Sequence, residues 1–466
     1  MATKTRHVHF VGIGGIGMSG IAELLVNLGY RVSGSDARAT DITRRLASMG
    51  ARIHEGHAAD HLGDASVVVV TSAAREDNPE IVEARRRGIP VIARAEMLAE
   101  LMRLRRIGVA IGGAHGKTTT TSMVALMLER AGLDPTAVIG GRLSAFGSNA
   151  RLGGGDVIVA EADESDGSFL KLSPAISVIT NVDREHLDHY GTFERALDAF
   201  VTFANTVPFD GAVIVGVDDP VLAGLVSRMT RRVVTYATDR DDATIVARAI
   251  TSGQGSSSCE VWRRPPGVDA AEYLGTLRLH VPGRHNLRNA LAAVGVGLEL
   301  GLAFDQIAAG LADFRGAERR LQVVGERAGV LVVDDYGHHP TEIAAVIAAC
   351  REAWNRRLVL VFQPHRYTRT AGLLPEFAEV LARADMVCLL PIYAASEDPI
   401  AGVSSGVLGD AIAKHGGAPV HLVADLVEAP ATVASLLREG DLVVTLGAGS
   451  IGTLGPRLLD ALEVQA

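Results

Sequence analysis

The sequence predicts an α/β protein built on parallel sheets and divided into two or three domains. Three observations predict it. The 466 residues are too many for one hydrophobic core. Glycine is abundant, at 51 residues, while aromatics make up 4%, a balance that suits tight turns between strands and helices. Short apolar runs also end repeatedly in polar clusters, as strands do when a parallel sheet delivers ligand groups off one edge.

Composition narrows the function classes. A hydrophobic fraction of 48% and a charged fraction of 21% are those of an ordinary globular protein. A net charge of −9 argues against a nucleic-acid partner, but an anionic small substrate can still be handled by local basic groups and Mg²⁺. Cys259, Cys350 and Cys388 lie far apart without metal-type spacing and read as reduced core thiols. The basic start, Met1 to Arg6, leads into no signal-peptide apolar stretch. No apolar run approaches the roughly 20 residues that span a bilayer. A cytoplasmic protein without membrane insertion is expected.

In the first segment, residues 1–106, Val8 to Val11 reads as a strand. Gly12-Ile-Gly14-Gly15-Ile16-Gly17 follows, then a helical pattern, then a strand from Tyr30 that ends at Ser35-Asp36. By spacing this is the dinucleotide fingerprint, a turn that sets a diphosphate on a helix N-terminus. It would suit any nucleotide diphosphate, and Asp36 suits either a ribose or a turn cap. Val67 to Val70 reads as a further strand ending in Thr71-Ser72-Ala73. A helix opens at Arg94 and runs to about Leu104.

The middle segment, residues 107–320, opens on an apolar strand, Ile107 to Ile111, leading into Gly112-Gly113-Ala114-His115-Gly116-Lys117-Thr118-Thr119. Val124, Met127, Leu128 and Ala131 then mark one face of an amphipathic helix. Small residues at the turn let backbone N–H groups approach a phosphate, Lys117 can reach the outer phosphates, and the Thr118 hydroxyl can ligate Mg²⁺. Ile111 stands where the full P-loop pattern has glycine, so this is a shortened loop. Val157 to Ala160 delivers Glu161-Ala-Asp163-Glu164-Ser-Asp166; Glu161, nearest the strand, is the expected metal ligand. Ile176 to Thr180 delivers Asn181, Asp183 and His186 to the same edge. Residues 239–280 read as an antiparallel, loop-rich insertion without chemistry, and a helix starts near Gly283-Arg-His285-Asn286.

In the last segment, residues 321–466, the strands Val330–Val333, Leu358–Phe362, Val387–Leu390 and Leu442–Leu446 each end in polar or glycine groups, as in a doubly wound domain. Arg366 and Arg369, three apart, suit a carboxylate or phosphate clamp.

Together these stretches resemble the Mur ligases of peptidoglycan synthesis along nearly the whole chain. The marks are Gly12 to Gly20, Gly113-Ala-His-Gly-Lys-Thr118, Glu161 to Asp166, His186-Leu-Asp188, Gly283 to Asn289, Asp335-Tyr-Gly-His-His-Pro340, Pro364-His-Arg-Tyr-Thr-Arg369 and Tyr393 to Pro399. The last three point to the branch that adds L-alanine. The resemblance implies three domains: a Rossmann-like N-terminal domain for a UDP-sugar (1–106), a central P-loop ATPase-type α/β domain (107–320) and a C-terminal Rossmann-like domain (321–466). It implies ATP and Mg²⁺ as cofactors, UDP-N-acetylmuramate and L-alanine as substrates, and a monomer or weak homodimer.

The resemblance also implies site residues. Gly113, Ala114, His115, Gly116, Lys117, Thr118, Thr119, His285, Asn289, Arg320 (or its neighbour Arg319) and Asp335 would bind ATP. Gly14, Gly15, Ile16, Gly17, Ser35, Asp36 and Ser72 would bind the UDP-sugar. Tyr336, His338, His365, Arg366 and Arg369 would hold the amino acid. Thr118, Glu161 and His186 would hold metal, and Lys117, His186, His338 and Arg366 would carry the chemistry, with His338 as a candidate base for the amine. Two departures stand out. Ala114 replaces a threonine usual in the family's loop, and no lysine lies between Phe193 and Phe209, where several sister ligases carry a carbamylated one. The alternatives are a ligase that recycles murein tripeptide onto the same UDP-sugar and, from the Gly12–Asp36 fingerprint alone, a nicotinamide-dependent oxidoreductase.

Overall fold

A computed structural model describes residues 6–71, 74–143, 148–253, 255–265, 267–268, 270–416 and 418–465. The chain forms two compact units. One comprises residues 1–248, 260–277 and 288–314; the other comprises 249–259, 278–287 and 315–466.

The first unit holds a five-stranded parallel sheet of β1 (His7–Val11), β2 (Arg31–Asp36), β3 (Arg52–Glu55), β4 (Val67–Val70) and β5 (Val91–Ala93), ordered 3-2-1-4-5. Strand order reverses beside β1, which puts the Gly12–Gly17 turn at the switch point where such sheets bind ligands. Gly12 takes φ +81° there, a conformation that disfavours any side chain. The helix Ile16–Asn27 follows directly.

A ten-stranded sheet contains β6 (Ile107–Gly112), β7 (Thr136–Leu143), β8 (Ser148–Arg151), β9 (Val157–Glu161), β10 (Ile176–Ile179), β11 (Ala212–Gly216), β12 (Val233–Ala237), β13 (Ile245–Gly253), β14 (Ser256–Arg263) and β15 (Glu272–Leu279), ordered 15-14-13-12-11-10-6-9-7-8. β10, β6 and β9 are parallel neighbours, with Ile179 beside Gly112 and Ile111 beside Glu161. The three loops that carry the expected ATP-site residues therefore leave the same edge side by side. The stretch 239–280 corrects the loop-rich expectation: β13 continues the sheet, pairing parallel to β12 at Tyr236–Ile245 and Ala237–Val246.

The helix after the phosphate loop, Lys117–Arg130, also differs from expectation. Thr118 to Leu128 are all buried, so the helix is not amphipathic. Strands cover one side, and the helix Phe304–Ala312 covers the other so closely that a Cβ on Gly310 would lie 2.9 Å from Met127 Cα. Threonines at 118–121 share this interior because they lie over the sheet edge rather than facing water.

Within this unit the two sheets are tied by polar contacts. Ser148 donates to Glu23 at 3.0 Å, the Asn149 amide donates to the Ile16 carbonyl at the glycine turn, and Arg94 pairs with Asp163 at 2.8 Å.

The second unit is built on a six-stranded sheet: β16 (Gln322–Arg327), β17 (Val330–Asp335), β18 (Arg357–Phe362), β19 (Met386–Leu389), β20 (Val420–Leu422) and β21 (Asp441–Leu446), ordered 16-17-21-18-19-20. All pairs are parallel except β16–β17. Apolar clusters line both faces, as a doubly wound sheet requires.

Candidate active site

The phosphate loop is shaped by glycine geometry and held from behind. Gly113 takes φ +131° and Gly116 +80°. A Cβ on Gly113 would fall 2.0 Å from Thr180 Oγ1, and one on Gly116 would fall 2.5 Å from Asn289 Oδ1. The end of β10 supports the loop: the Ala114 and His115 amides donate to the Asn181 carbonyl and side chain, and Thr180 Oγ1 donates to the His115 carbonyl. His115 Nε2 lies 2.7 Å from Asp183. Ala114 contributes through its backbone, its amide on the Asn181 carbonyl and its carbonyl accepting from Lys117. Asn289, expected to bind ATP, covers Gly116 and is buried. His285 is half-buried near the start of the same helix.

Lys117 opens the helix Lys117–Arg130 and folds back over the loop. Its ammonium donates to the Gly113 carbonyl (2.7 Å), the Ala114 carbonyl (2.9 Å) and Glu164 Oε1 (2.8 Å). Burial would pull its pKa down, but the charges of Glu164 and Glu161 outweigh that and hold the lysine charged. Thr119 is buried in the first helical turn, and the Thr118 hydroxyl donates to Glu161 Oε2 at 2.9 Å. The Gly140 amide reaches the same oxygen at 2.9 Å.

Glu164 is the residue that sequence reasoning passed over. It lies at the centre of the cluster, 2.8 Å from Lys117 and 3.6 Å from His186 Nε2. Burial raises its pKa to about 7, opposed by Lys117 and reinforced by Asp163. Its Oε2 is buried with no hydrogen-bond partner. Its presence in an acidic run was legible; that the third acid turns inward while the first stays on Thr118 was not. His186 takes φ +55°, an uncommon conformation for a non-glycine residue, which turns its ring toward Glu164 and Glu185. One donor atom from each of Glu164, Glu185 and His186 fits within 4.8 Å. Oxygen-rich donors, an orphaned carboxylate oxygen and a raised carboxyl pKa together fit a hard divalent cation.

In the first sheet, Gly14, Gly15, Ile16 and Gly17 are accessible at the turn, as a diphosphate site requires. Asp36 Oδ2 accepts the Gly14 amide at 2.8 Å, so Asp36 braces the turn while also lining a cavity of about 430 Å³ with His57. Ser35 corrects the sequence reading. It is fully buried behind that cavity, and its hydroxyl donates to Glu80 at 2.6 Å, because alternation along β2 turns it inward. Ser72 lies outside the described residues.

In the second unit, four of the expected amino-acid residues converge. The His338 ring meets Tyr336 (5.4 Å) and His365 (5.7 Å) edge-on, and His365 stacks on Tyr393 at 5.5 Å. Arg369 reaches His365 Nδ1 at 3.4 Å. Burial, then His338 and the two arginines, push the His365 pKa down to about 4, leaving a neutral ring. His338 Nδ1 faces the Tyr336 carbonyl (3.1 Å) and Glu342 (3.4 Å), so Nδ1 carries the hydrogen. Arg366 is exposed, at φ +71°, just before the helix Tyr367–Gly372. Arg319 and Arg320 both lie 5.2 Å from the Tyr336 ring; Arg319 is bound to Asp334 (2.8 Å) and the Gly447 carbonyl (2.7 Å). Arg320 lies 3.5 Å from Glu342. Asp335, expected to bind ATP, is buried, and its two oxygens accept the Leu321 and Gly337 amides. Burial raises its pKa to about 6.

Comparison with known proteins covers the chain from end to end. Residues 7–106 match the Mur ligase family catalytic domain, 111–297 the Mur ligase middle domain, and 319–449 the Mur ligase glutamate ligase domain. The UDP-N-acetylmuramate–L-alanine ligase of Syntrophotalea carbinolica is 51% identical over 464 residues, covering 99% of each chain. That of an Anaeromyxobacter species is 53% identical over 461 residues, again 99% of each. Among solved structures, the UDP-N-acetylmuramate–alanine ligase of Thermotoga maritima superposes with a TM-score of 0.82 at 29% identity, covering 99% of this chain and 100% of that one. A murein peptide ligase of Psychrobacter arcticus shares the fold, with a TM-score of 0.70 at 24% identity and 98% of each chain covered.

Proposed function

The chain belongs to the Mur ligase family, and we infer from that premise how its own residues carry out the reaction. It is an ATP-dependent ligase that joins L-alanine to the lactyl carboxylate of UDP-N-acetylmuramate, releasing ADP and phosphate. The observation that carries this reading is identity of about half the residues, over 99% of the chain, with ligases of that name.

The chemistry brings together a carboxylate and a triphosphate, two anions that repel, so positive charge must be fixed where they meet. Lys117 exchanges Glu164 for the outer phosphate oxygens, while the loop amides take the inner ones. The lactyl carboxylate then accepts the γ-phosphoryl group as an acyl phosphate, and the alanine amine attacks that carbon and expels phosphate. Thr118 with Glu161, and Glu164 with His186, would hold Mg²⁺, which when bound supplies charge neutralisation for the phosphoryl oxygens. Arg366 and Arg369 would take the alanine carboxylate, and His338 Nε2 the amine proton. The Gly14–Gly17 turn would take the diphosphate of the UDP-sugar. A nicotinamide reading has no use for Lys117, Glu164 or His186. We take the working form to be a cytoplasmic monomer or weak homodimer without a nucleic-acid partner. Three buried free thiols suit that compartment, and no helix among the described residues is long and apolar enough to cross a membrane.

The test is ADP release measured with each substrate omitted in turn. Release that requires both UDP-N-acetylmuramate and L-alanine supports the reading; ATP turnover indifferent to alanine overturns it. If murein tripeptide outcompetes alanine, the protein is the recycling ligase instead.

A further inference from the structure

One cluster of titratable groups has no part in the ligase chemistry. Glu80 sits in the first turn of the helix Pro79–Arg86 and is fully buried. No lysine or arginine pairs with it among the described residues. Its neighbours are Ser35 Oγ and His57 Nδ1 on Oε2, at 2.6 and 3.2 Å, and His61 Nδ1 and His9 Nε2 near Oε1, at 2.9 and 3.7 Å. Burial alone would raise its pKa, yet the contacts to His9, Ser35 and His61 hold it down at about 2. Glu80 is thus an anion, able only to accept.

That fixes the direction of every hydrogen bond around it. The single Ser35 hydroxyl hydrogen goes to Glu80. Ser35 Oγ then only accepts from His57 Nδ1, 2.9 Å away. His57 Nδ1 therefore faces two acceptors and must carry the ring hydrogen. In the neutral ring Nε2 is left as a bare lone pair. The imidazole is a wall of the 430 Å³ cavity that starts at Val11 and Gly12 and includes Asp36. Among the other charged walls, Arg75 turns two of its N–H groups onto Asp77, at 3.1 and 3.0 Å.

We propose that Glu80, acting with Ser35, is a positioning residue that presents His57 Nε2 as a hydrogen-bond acceptor for the N3–H of the uracil ring of the UDP-sugar. The inference rests on the UDP-sugar reading above and adds to it a basis for choosing the base. With the diphosphate on the Gly14–Gly17 turn, the nucleoside is the part that extends over Asp36 toward His57. Uracil offers a ring N–H at position 3, whereas cytosine offers an acceptor there. Two facing acceptors cannot pair, so the cavity rejects cytosine.

The experiment is calorimetric titration of the full-length protein with UDP and with CDP, alongside KM and kcat for UDP-N-acetylmuramate. Wild type should bind UDP about tenfold or more tighter than CDP. His57→Ala should bring the two within about threefold of each other. Glu80→Gln, whose amide can donate and so free the His57 tautomer, should shrink the ratio in the same direction, raising KM for the UDP-sugar with kcat nearly unchanged. Thermal melts establish that each variant folds, and His57→Ala stands as the test should Glu80→Gln not fold. Equal binding of UDP and CDP by wild type, or a ratio unmoved by His57→Ala, overturns the proposal. A ratio lost in His57→Ala but kept in folded Glu80→Gln overturns the positioning role. ADP release that is independent of UDP-N-acetylmuramate overturns the underlying reading instead.

Discussion

The first unit contains two strand–glycine–helix turns, each with a buried glutamate behind it, and the glutamates behave in opposite ways. Glu80, near the Gly12–Gly17 turn, is held far below its ordinary range although no lysine or arginine pairs with it among the described residues. Glu164, beside the Gly113–Lys117 loop, is raised to about 7 although it touches an ammonium. The number and direction of donors decides the matter. Glu80 meets a hydroxyl and several ring nitrogens that outweigh burial. Glu164 has one strong donor, a second oxygen with no hydrogen bond, and the like charge of Asp163 nearby. The first carboxylate is a finished structural part. The second keeps one oxygen without a hydrogen bond, as suits the proposed cation ligand.

The largest expected break of this comparison comes from Lys117→Ala. It should lower kcat by about a thousandfold while leaving UDP affinity at the other turn unchanged, read by single-turnover ADP release and by UDP titration. Next, Glu164→Gln should weaken activation by Mg²⁺ about 10- to 100-fold, read as the Mg²⁺ concentration for half-maximal rate, and chelation of the metal should abolish wild-type turnover reversibly. A glycine exchange sharpens the contrast in backbone demand. Gly113→Ala meets both φ +131° and a 2.0 Å clash, and should cost about 2–4 kcal/mol of unfolding free energy. Gly15→Ala, at φ −63° with its nearest neighbour 3.5 Å away, should change stability by less than about 0.5 kcal/mol.

The smallest effect is in the pH dependence of stability. The lowered pKa of Glu80 stabilises the fold above about pH 4.5, and that contribution is lost as pH falls toward 2. The raised pKa of Glu164 acts the other way: the fold loses stability as pH rises from 4.5 through 7. Melting curves should show wild type gaining on Glu80→Gln between pH 3 and 5 and losing ground to Glu164→Gln between pH 5 and 8 without metal. Parallel curves for both variants would remove the distinction between the two carboxylates.

What the sequence made legible follows from the same physics. Strand ends and the two glycine turns were readable because period, glycine and polar clusters are local signals. Lys117, Thr118 and His186 could be proposed because each stands in a stretch of that kind, whereas His338 and His365 were proposed from the resemblance to the family. Three things were not. The inward turn of Glu164 depends on the loop after β9, and the burial of Ser35 depends on which face of β2 meets the helix Pro79–Arg86. The all-round burial of the helix Lys117–Arg130 needs the distant helix Phe304–Ala312 as its cover. Each is a tertiary fact that local patterning does not encode.

The folded-back lysine has a further consequence, for competition among anions. With all three N–H groups already held by two carbonyls and a carboxylate, Lys117 never presents a bare ammonium to solvent. A phosphate must displace a carboxylate to reach it, so binding is an exchange of anions rather than a simple attraction. Such a site gains little from inorganic phosphate or sulfate, which offer few other contacts to offset the loss. It favours a nucleotide that brings its own cation for Glu164. Its affinity should also vary less with ionic strength than that of an open basic patch, because the lysine charge is balanced before and after the exchange.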